Sequence, residues 1–511
     1  MPTAKFITAT AGAAALLGAC NGFAGTASAQ GVGQNAGRGA GPVSSPAAAA
    51  PGADARQERL ALIASLDEAY RARNDQALLD AMLRAFEVDG DWARERAWDL
   101  LNDRLAARRA IAVRVLKEHG TADDLAQAAR ALDVRDFADE RRMLVRWIGG
   151  KDVERAWAVL PAFLDDRDEM VQLAAINALA DLNRPDAVGL VLRFLTMDPP
   201  VQRRGRGGDE DFLLAAGAYG LVHRVTDLRP TSQREVREWW RTHGPRPAAV
   251  ERATPDAVMA ERRTAEHEGF TLLQTPNFDV GWRFAGLRVA EQGPPQGGFL
   301  GWPEFGRMVE ETAAVAMENA EGIFGPVRLP HLRVYVAEPR LASALGVPPG
   351  FGGQQESYGY VVRADMAEVM YPVMVHEFVH VIHNTQFEEV PRWLAEGLGE
   401  SLTLSARESV WTMARAQRLR IDREVQRGVA STIVQWDAAA SSDEREGTRY
   451  AMAHLLVDYL RYGGFAAPDE RLYMLLGRLS RRESTQRAIE EVYGMSVREL
   501  DDAVRAWVQA R

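Results

Sequence analysis

The sequence predicts a chain of two unlike folded parts, α plus α/β: an α-solenoid of stacked helix pairs over residues 57–245, then an α+β domain over 265–511 that ends in a helical lobe. Three observations predict it. From Gln57 to about Gly244, apolar residues recur at three- and four-residue spacing with little β-branched alternation, which is the helical period. Pro245 to Pro255 is rich in Pro and Ala, and short alternating apolar runs of the strand type begin only after it. The stretch Val375 to Glu400, VHEFVHVIHNTQFEEVPRWLAEGLGE, then places a His-Glu-x-x-His pentad on an apolar, helix-like background.

In chain order, residues 1–29 read as an export signal. Lys5 is the early charge, and the apolar run Phe6 to Ala19 is too short and too weak for a spanning helix. Two exits stay open. Leu17-Gly18-Ala19-Cys20 resembles the bacterial lipobox, which implies lipidation on Cys20. Ala27-Ser28-Ala29 is an A-x-A cleavage site, which releases a soluble protein. Cys20 is the sole cysteine, so the mature chain has no disulfide and its stability must come from its cores. Residues 30–56 hold little apolar bulk among Gly, Ala, Pro and Ser and read as a flexible tether.

The helical part carries an internal repeat of about 31 residues. Leu144-Val145 through Phe163-Leu164 returns as Ala174-Ala175 through Phe194-Leu195. The unit Asp168 to Ala180, followed by Pro185-Asp186-Ala187-Val188, resembles a HEAT-type repeat: small residues let paired helices approach, and Asp caps the next helix. Such pairs cannot bury their faces alone and must stack. Leu221 to Trp240 reads as the terminal unit, with Thr231 or Ser232 as the cap of its last helix and Trp239-Trp240 as a staple. The array offers either a concave surface, for a protein partner or for substrate delivery, or a rigid spacer. A net charge of −10, with no basic run interleaved with aromatics, excludes a general nucleic-acid binder.

In the second part, Phe270 to Leu273, Asn277 to Val280, His331 to Val336 and Ser357 to Arg363 read as strands, with an amphipathic helix over Glu304 to Phe324. Within the pentad, His376 and His380 are at i and i+4, so two imidazoles lie one above the other and can reach one metal ion. Glu377 stands where a general base for a metal-activated water is needed. After the polar break Asn384 to Glu389, Pro391 suits the start of a second helix, and an antiparallel return brings Glu396 over the His pair. Glu400, one turn on, can accept the remaining ring N–H of a ligand His. His383 is too far along the axis from His376 to share a tetrahedral site and reads as a helix-end or rim residue.

HEFVH followed by PRWLAEGLGE resembles the gluzincin branch of the zincin metallopeptidases, with its HExxH and downstream W-x-x-E-G-x-x-E segments. The resemblance covers about residues 265–511 and implies a zincin-type α+β domain. It implies Zn²⁺ held by His376, His380 and Glu396, with Glu377 as base and Glu400 supporting a ligand His. Residues 381–395 separate His380 from Glu396, a shorter span than in the best-known gluzincins. The metzincin variant is disfavoured, since its third His would fall at Gln386. By the same resemblance, Tyr358, Gly359, Tyr360 and Val361 lie on the edge strand that takes an extended peptide. Tyr450 and His454, at i and i+4, are the two candidates to donate to the tetrahedral intermediate, and helix packing is the other use of Tyr450. The expectation is a zinc-dependent peptidase of the bacterial cell envelope acting on a peptide or protein, with the membrane met only through a lipid anchor. The alternative is an inactive envelope scaffold that works through its helical array. A structural zinc site fails on ligand type, because such sites are usually closed by Cys.

Overall fold

The structure is a computed structural model that describes residues 53–132, 137–197, 210–244 without 227, 229 and 231, 264–267, 270–274, 278–283, 302–327, 332–337, 353–356, 359–363, 370–387, 389–403, 424–436 and 446–510. The export signal, Cys20, most of the tether and the boundary stretch 245–255 lie outside the described residues. Among the described residues no helix is long and apolar enough to cross a membrane.

Among the described residues the first part is helical: α1 (Ala53–Ala72), α2 (Asp75–Val88), α3 (Gly90–Leu101), α4 (Ala106–His119), α5 (Ala122–Ala131), α6 (Ala138–Ile148), α7 (Val153–Val159), α8 (Glu169–Asp181), α9 (Ala187–Val191), α10 (Glu210–Thr226) and α11 (Gln233–His243). Polar side chains start several of these helices. Asp168 accepts from the amides of Met170 and Val171, and Thr121 and Asp124 form a reciprocal capping box on α5. Ser232 caps α11, as one of the two expected residues. Pro161 falls in a tight 3₁₀ turn, Leu160–Asp165, that ends α7. Helices α4, α6, α8 and α10 pack in succession as one layer, and α5 and α7 lie in the other. Ala174, Ala175 and Ala178 are buried in α8, as the small-residue pattern requires. Trp240 lies so close to Gly189 of α9 that a Cβ there would be 2.5 Å from its ring, which is the expected staple. Buried ion pairs tie the layer together: Arg109 Nε donates to Glu140 Oε1 at 2.6 Å, Arg141 pairs with Asp166, and Asp181 takes both Arg146 and Arg224.

The second part holds a six-stranded sheet: β1 (Thr264–His267), β2 (Phe270–Gln274), β3 (Phe278–Arg283), β4 (Leu332–Ala337), β5 (Gly353–Glu356) and β6 (Gly359–Arg363). Its spatial order is β1-β2-β3-β4-β6-β5. Strands β3, β4 and β6 run parallel, and antiparallel hairpin partners flank them on both sides. The connection from β3 to β4 carries α12 (Trp302–Phe324), as a parallel crossover requires. One expectation is corrected here. Gly359, Tyr360 and Val361 are not on an edge, because β6 is bonded on one side to β4 and on the other to β5. Its ladder is filled, so an added peptide has nothing to pair with. Among the described strands the outer ones are Thr264–His267 and, next to β6, Gly353–Glu356, and Tyr358 lies outside the described residues.

Helices follow: α13 (Met370–Asn384), α14 (Arg392–Thr403), α15 (Val429–Ile433), α16 (Glu446–Tyr462), α17 (Pro468–Ser480), α18 (Thr485–Tyr493) and α19 (Val497–Gln509). Helix α13 packs between α12 and α14 and also touches β5, while α14 packs on α16. Helices α17 and α18 pack on α4, and α17 also on α6. The buried apolar residues therefore form one cluster that runs from Leu62 to Val504 without a break between the two parts.

Candidate metal centre

The centre is built on two helices whose apolar faces are fixed by packing. In α13, Met374, Val375, Phe378, Val379, Val381 and Ile382 are buried, which leaves His376, Glu377 and His380 on the half-open face. The chain then turns tightly. Phe387 donates its amide to His383 O and buries its ring. Pro391 precedes α14 and accepts at its carbonyl from Leu394 and Ala395, so it starts the helix as expected. Trp393, Leu394 and Leu398 are wholly buried and set the rotation of α14. Gly397 allows the close approach of α16, since a Cβ there would be 2.6 Å from Ala453 O. This rotation turns Glu396 toward the two imidazoles.

The three side chains converge. His376 Nε2 and His380 Nε2 are 3.0 Å apart, and Glu396 Oε2 is 3.2 Å from the first and 3.4 Å from the second. Among the described residues these three form the one group of His, Cys, Asp or Glu whose ligand atoms are mutually close enough for an ion. Zinc bonds of about 2.0–2.1 Å at tetrahedral angles separate ligand atoms by about 3.3–3.4 Å, so the triangle has the dimensions of one face of such a site. Two imidazoles and a carboxylate are also the donor types that leave a fourth position for water. The residues present fit the ion.

Charges around the triangle are consistent with this. Burial disfavours a charged His376, but the Glu396 hydrogen bond and the charges of Glu400, Glu396 and Glu377 outweigh it and raise His376 to about 9 in the metal-free protein. Burial likewise opposes the Glu396 carboxylate, and its bonds to His376 and His380 overcome that and hold it far below the usual carboxylate range. Glu400 Oε1 faces His376 Nδ1 at 3.6 Å, beyond direct hydrogen-bond length but on the atom it was expected to serve. Glu377 sits beside His376 on the half-open face. Arg392, one turn before Glu396, brings its Nε to 3.8 Å from Glu396 Oε1. Its guanidinium covers Trp436, which meets Tyr450 edge-on at 5.3 Å, and the Tyr450 ring is 6.5 Å from that of His376. Arg392, Trp436 and Tyr450 thus form a continuous wall beside the triangle.

Two readings of single residues change. His454 does not face the site's opening: it is 1% exposed and its Nε2 is 3.2 Å from Asp458 Oδ2. Asp458 in turn accepts from Ser401 Oγ at 2.7 Å, so His454 belongs to a buried bond chain between α14 and α16. His383 is at the helix end, as one of its two expected readings had it, but it is not on a rim. It is buried, and its Nε2 lies 3.0 Å from His380 Nδ1. Burial first, and then the charge of His380, hold its pKa well below the ordinary value, which favours the neutral imidazole, the form able to accept the outer N–H of His380. Its i+3 spacing from His380 was the signal in the sequence that could have revealed it.

Comparison with known proteins reaches the first part of the chain. The family described as HEAT repeats matches residues 123–206, which covers α5 to α9 and the following turn and assigns HEAT-like repeats to that stretch. No curated protein and no solved structure matches the chain.

Proposed function

We propose that this protein is a zinc-dependent peptidase of the gluzincin type, with His376, His380 and Glu396 as the metal ligands. The observation that carries the reading is the triangle of ligand atoms at 3.0, 3.2 and 3.4 Å. Zinc, when bound, supplies Lewis acidity toward water and toward a peptide carbonyl. Glu377 accepts a proton on its carboxylate as water attacks the carbonyl carbon, and returns it to the nitrogen as the C–N bond breaks. The Tyr450 hydroxyl donates to the developing oxyanion, a role for which its place in the wall beside His376 speaks. His383 and Glu400 orient the two imidazoles through their outer nitrogens. The substrate backbone pairs with the edge strand Gly353–Glu356, which packs against the pentad helix. The location in the bacterial envelope rests on the sequence signals of residues 1–29, through either Cys20 or the Ala27-Ser28-Ala29 exit.

The test pairs metal analysis with a peptide-library digest of the wild type and Glu377→Gln. The expected result is one zinc per chain in both and cleavage by the wild type alone. Cleavage at the wild-type rate by Glu377→Gln removes the assignment of the base. Stoichiometric zinc without cleavage of any peptide turns the reading to a scaffold that has lost turnover.

A further inference from the structure

We infer that the HEAT-like array is the frame of the metal centre, and that Arg142 of α6 is a positioning residue that holds the segment joining the two ligand helices. The inference rests on the metal reading above. Three arginines stand close together on α6, and two of them serve the array itself. Arg141 donates to Ala129 O and pairs with Asp166, and Arg146 pairs with Asp181. Arg142 turns the other way. Its Nη2 donates to Gln386 O at 2.6 Å, and its guanidinium lies over Phe387 at 4.7 Å and Tyr473 at 5.7 Å. It is 2% exposed, Gln386 is 5% and Phe387 is 1%, so the contact is closed to water.

The position of Gln386 gives the contact its consequence. Helix α13, which carries His376 and His380, ends at Asn384, and α14, which carries Glu396, begins at Arg392. Gln386 is in the link between them. A buried cation there meets the negative end of the helix dipole and a carbonyl that has no partner within the helix. Lys117 of α4 does the same one helix away: its Nζ donates to Gly322 O at 2.9 Å, in the last turn of α12, and pairs with Glu470 at 3.0 Å. The array thus places a cation at the C-terminal end of each of two adjacent helices, one of which is the pentad helix. Asp139, also on α6, accepts from both terminal nitrogens of Arg481, Nη1 at 2.8 Å and Nη2 at 2.6 Å, and so fixes α6 to the end of α17. Ligand atoms must hold their places to about 0.2 Å for an intact metal site. A link free to drift between the two helices would not keep that tolerance; Gln386 Nε2 ties it to Phe324 O at 3.4 Å, and Arg142 holds its backbone from the side of the array.

The experiment uses the full chain and compares wild type, Arg142→Lys, Arg142→Met and the control Arg193→Ala. Arg193 also belongs to the array but pairs within it, with Asp165 and Leu164 O. Zinc affinity is read by competition with a chromogenic chelator, and amide hydrogen exchange is read residue by residue in the metal-free native state. For Arg142→Met the expected result is a 10- to 100-fold weaker zinc affinity. Faster exchange is expected at Thr385, Gln386 and Phe387, with exchange in α8 and α10 unchanged. Arg142→Lys keeps a cation with one donor nitrogen and should recover part of the affinity, and Arg193→Ala should match the wild type. Wild-type affinity and exchange in Arg142→Met overturn the inference, and so does faster exchange spread evenly over the chain. If Arg142→Met does not fold, Arg142→Gln, which also removes the guanidinium, takes its place, and wild-type affinity and exchange in that variant overturn the inference. If the wild type binds no zinc, the metal reading fails, while the exchange at 385–387 still decides whether Arg142 holds the link.

Discussion

Gly399→Ala is expected to damage the proposed metal centre without unfolding the protein. Gly399 is buried in α14, and a Cβ at this position would be 2.6 Å from His376 Cε1 and 2.8 Å from both ring nitrogens. Carbon atoms pack at about 3.5 Å, so the ring must withdraw by about 1 Å. His376 Nε2 is one corner of the ligand triangle, with edges of 3.0 and 3.2 Å to the other two. A metal–ligand bond tolerates about 0.2 Å, so a displacement about five times larger removes that ligand. Zinc affinity should fall by at least about 100-fold, beyond the range typical for loss of an outer-shell partner. The metal-free protein should respond differently, because there the imidazole is free to rotate away. Above about pH 9, where His376 is neutral in both proteins, its loss of a hydrogen bond, about 1 kcal/mol, is offset by the gain of about 1 kcal/mol from Gly to Ala within a helix, so thermal unfolding is compared there. Gly220→Ala in α10 is the matched control, since no atom lies within 4 Å of its added Cβ. It should leave zinc binding alone and raise stability slightly. The assay is chelator competition for zinc, with thermal unfolding in the presence of a strong chelator. Wild-type zinc affinity in Gly399→Ala would refute the reasoning, because the ring could not then occupy the place assigned to it.

Three further outcomes are expected. His383→Ala removes the acceptor on His380 Nδ1 and should weaken zinc binding about 10- to 100-fold, as measured by the same competition. Raising the pH should destabilise the metal-free protein. His376 is raised from 6.5 to about 9 in the fold, so its contribution is complete below pH 6.5 and is lost as pH climbs to about 9. That contribution is on the order of 3 kcal/mol, and chelator-treated protein should show it as a falling Tm over this window. Zinc competes with the same proton, so the Tm gain on adding zinc should grow over that interval. A gain that is flat with pH would contradict the role of His376 as a ligand. Trp393→Ala empties a wholly buried site on α14 and should cost about 3–5 kcal/mol in chemical denaturation.

Much of this architecture was legible in the sequence because its signals are local. The solenoid announced itself by helical period and by small residues such as Ala174, Ala175 and Ala178, which the helix spacing then buries. The pentad and the Trp393 to Gly397 segment read correctly as two helices joined by a tight link, because the pattern of buried residues and Pro391 define both ends. What was not legible depends on distant partners. Gly353-Gln354-Gln355-Glu356 has no apolar alternation, so nothing in it signals a strand, yet pairing with Gly359–Val362 makes it one and moves the edge away from β6. His454 shares a face with Tyr450, but Asp458 continues that face and captures the ring. Arg142 reads as one more charge on an amphipathic helix, and only the fold brings Gln386 to it across 244 positions.

The closing of the array onto the far end of the chain sets an order of assembly. Arg471 reaches Asp75 across 396 positions, and Glu470 reaches Lys117 across 353. During synthesis the inner layer of helices is therefore complete long before α17 and α18 exist to cover α4 and α6. Contacts this distant close slowly, since the entropy of the intervening loop is lost before they form. A half-made chain would present that uncovered surface to its neighbours, so a nascent or truncated form is the species that holdase chaperones should bind and that should aggregate first on overexpression.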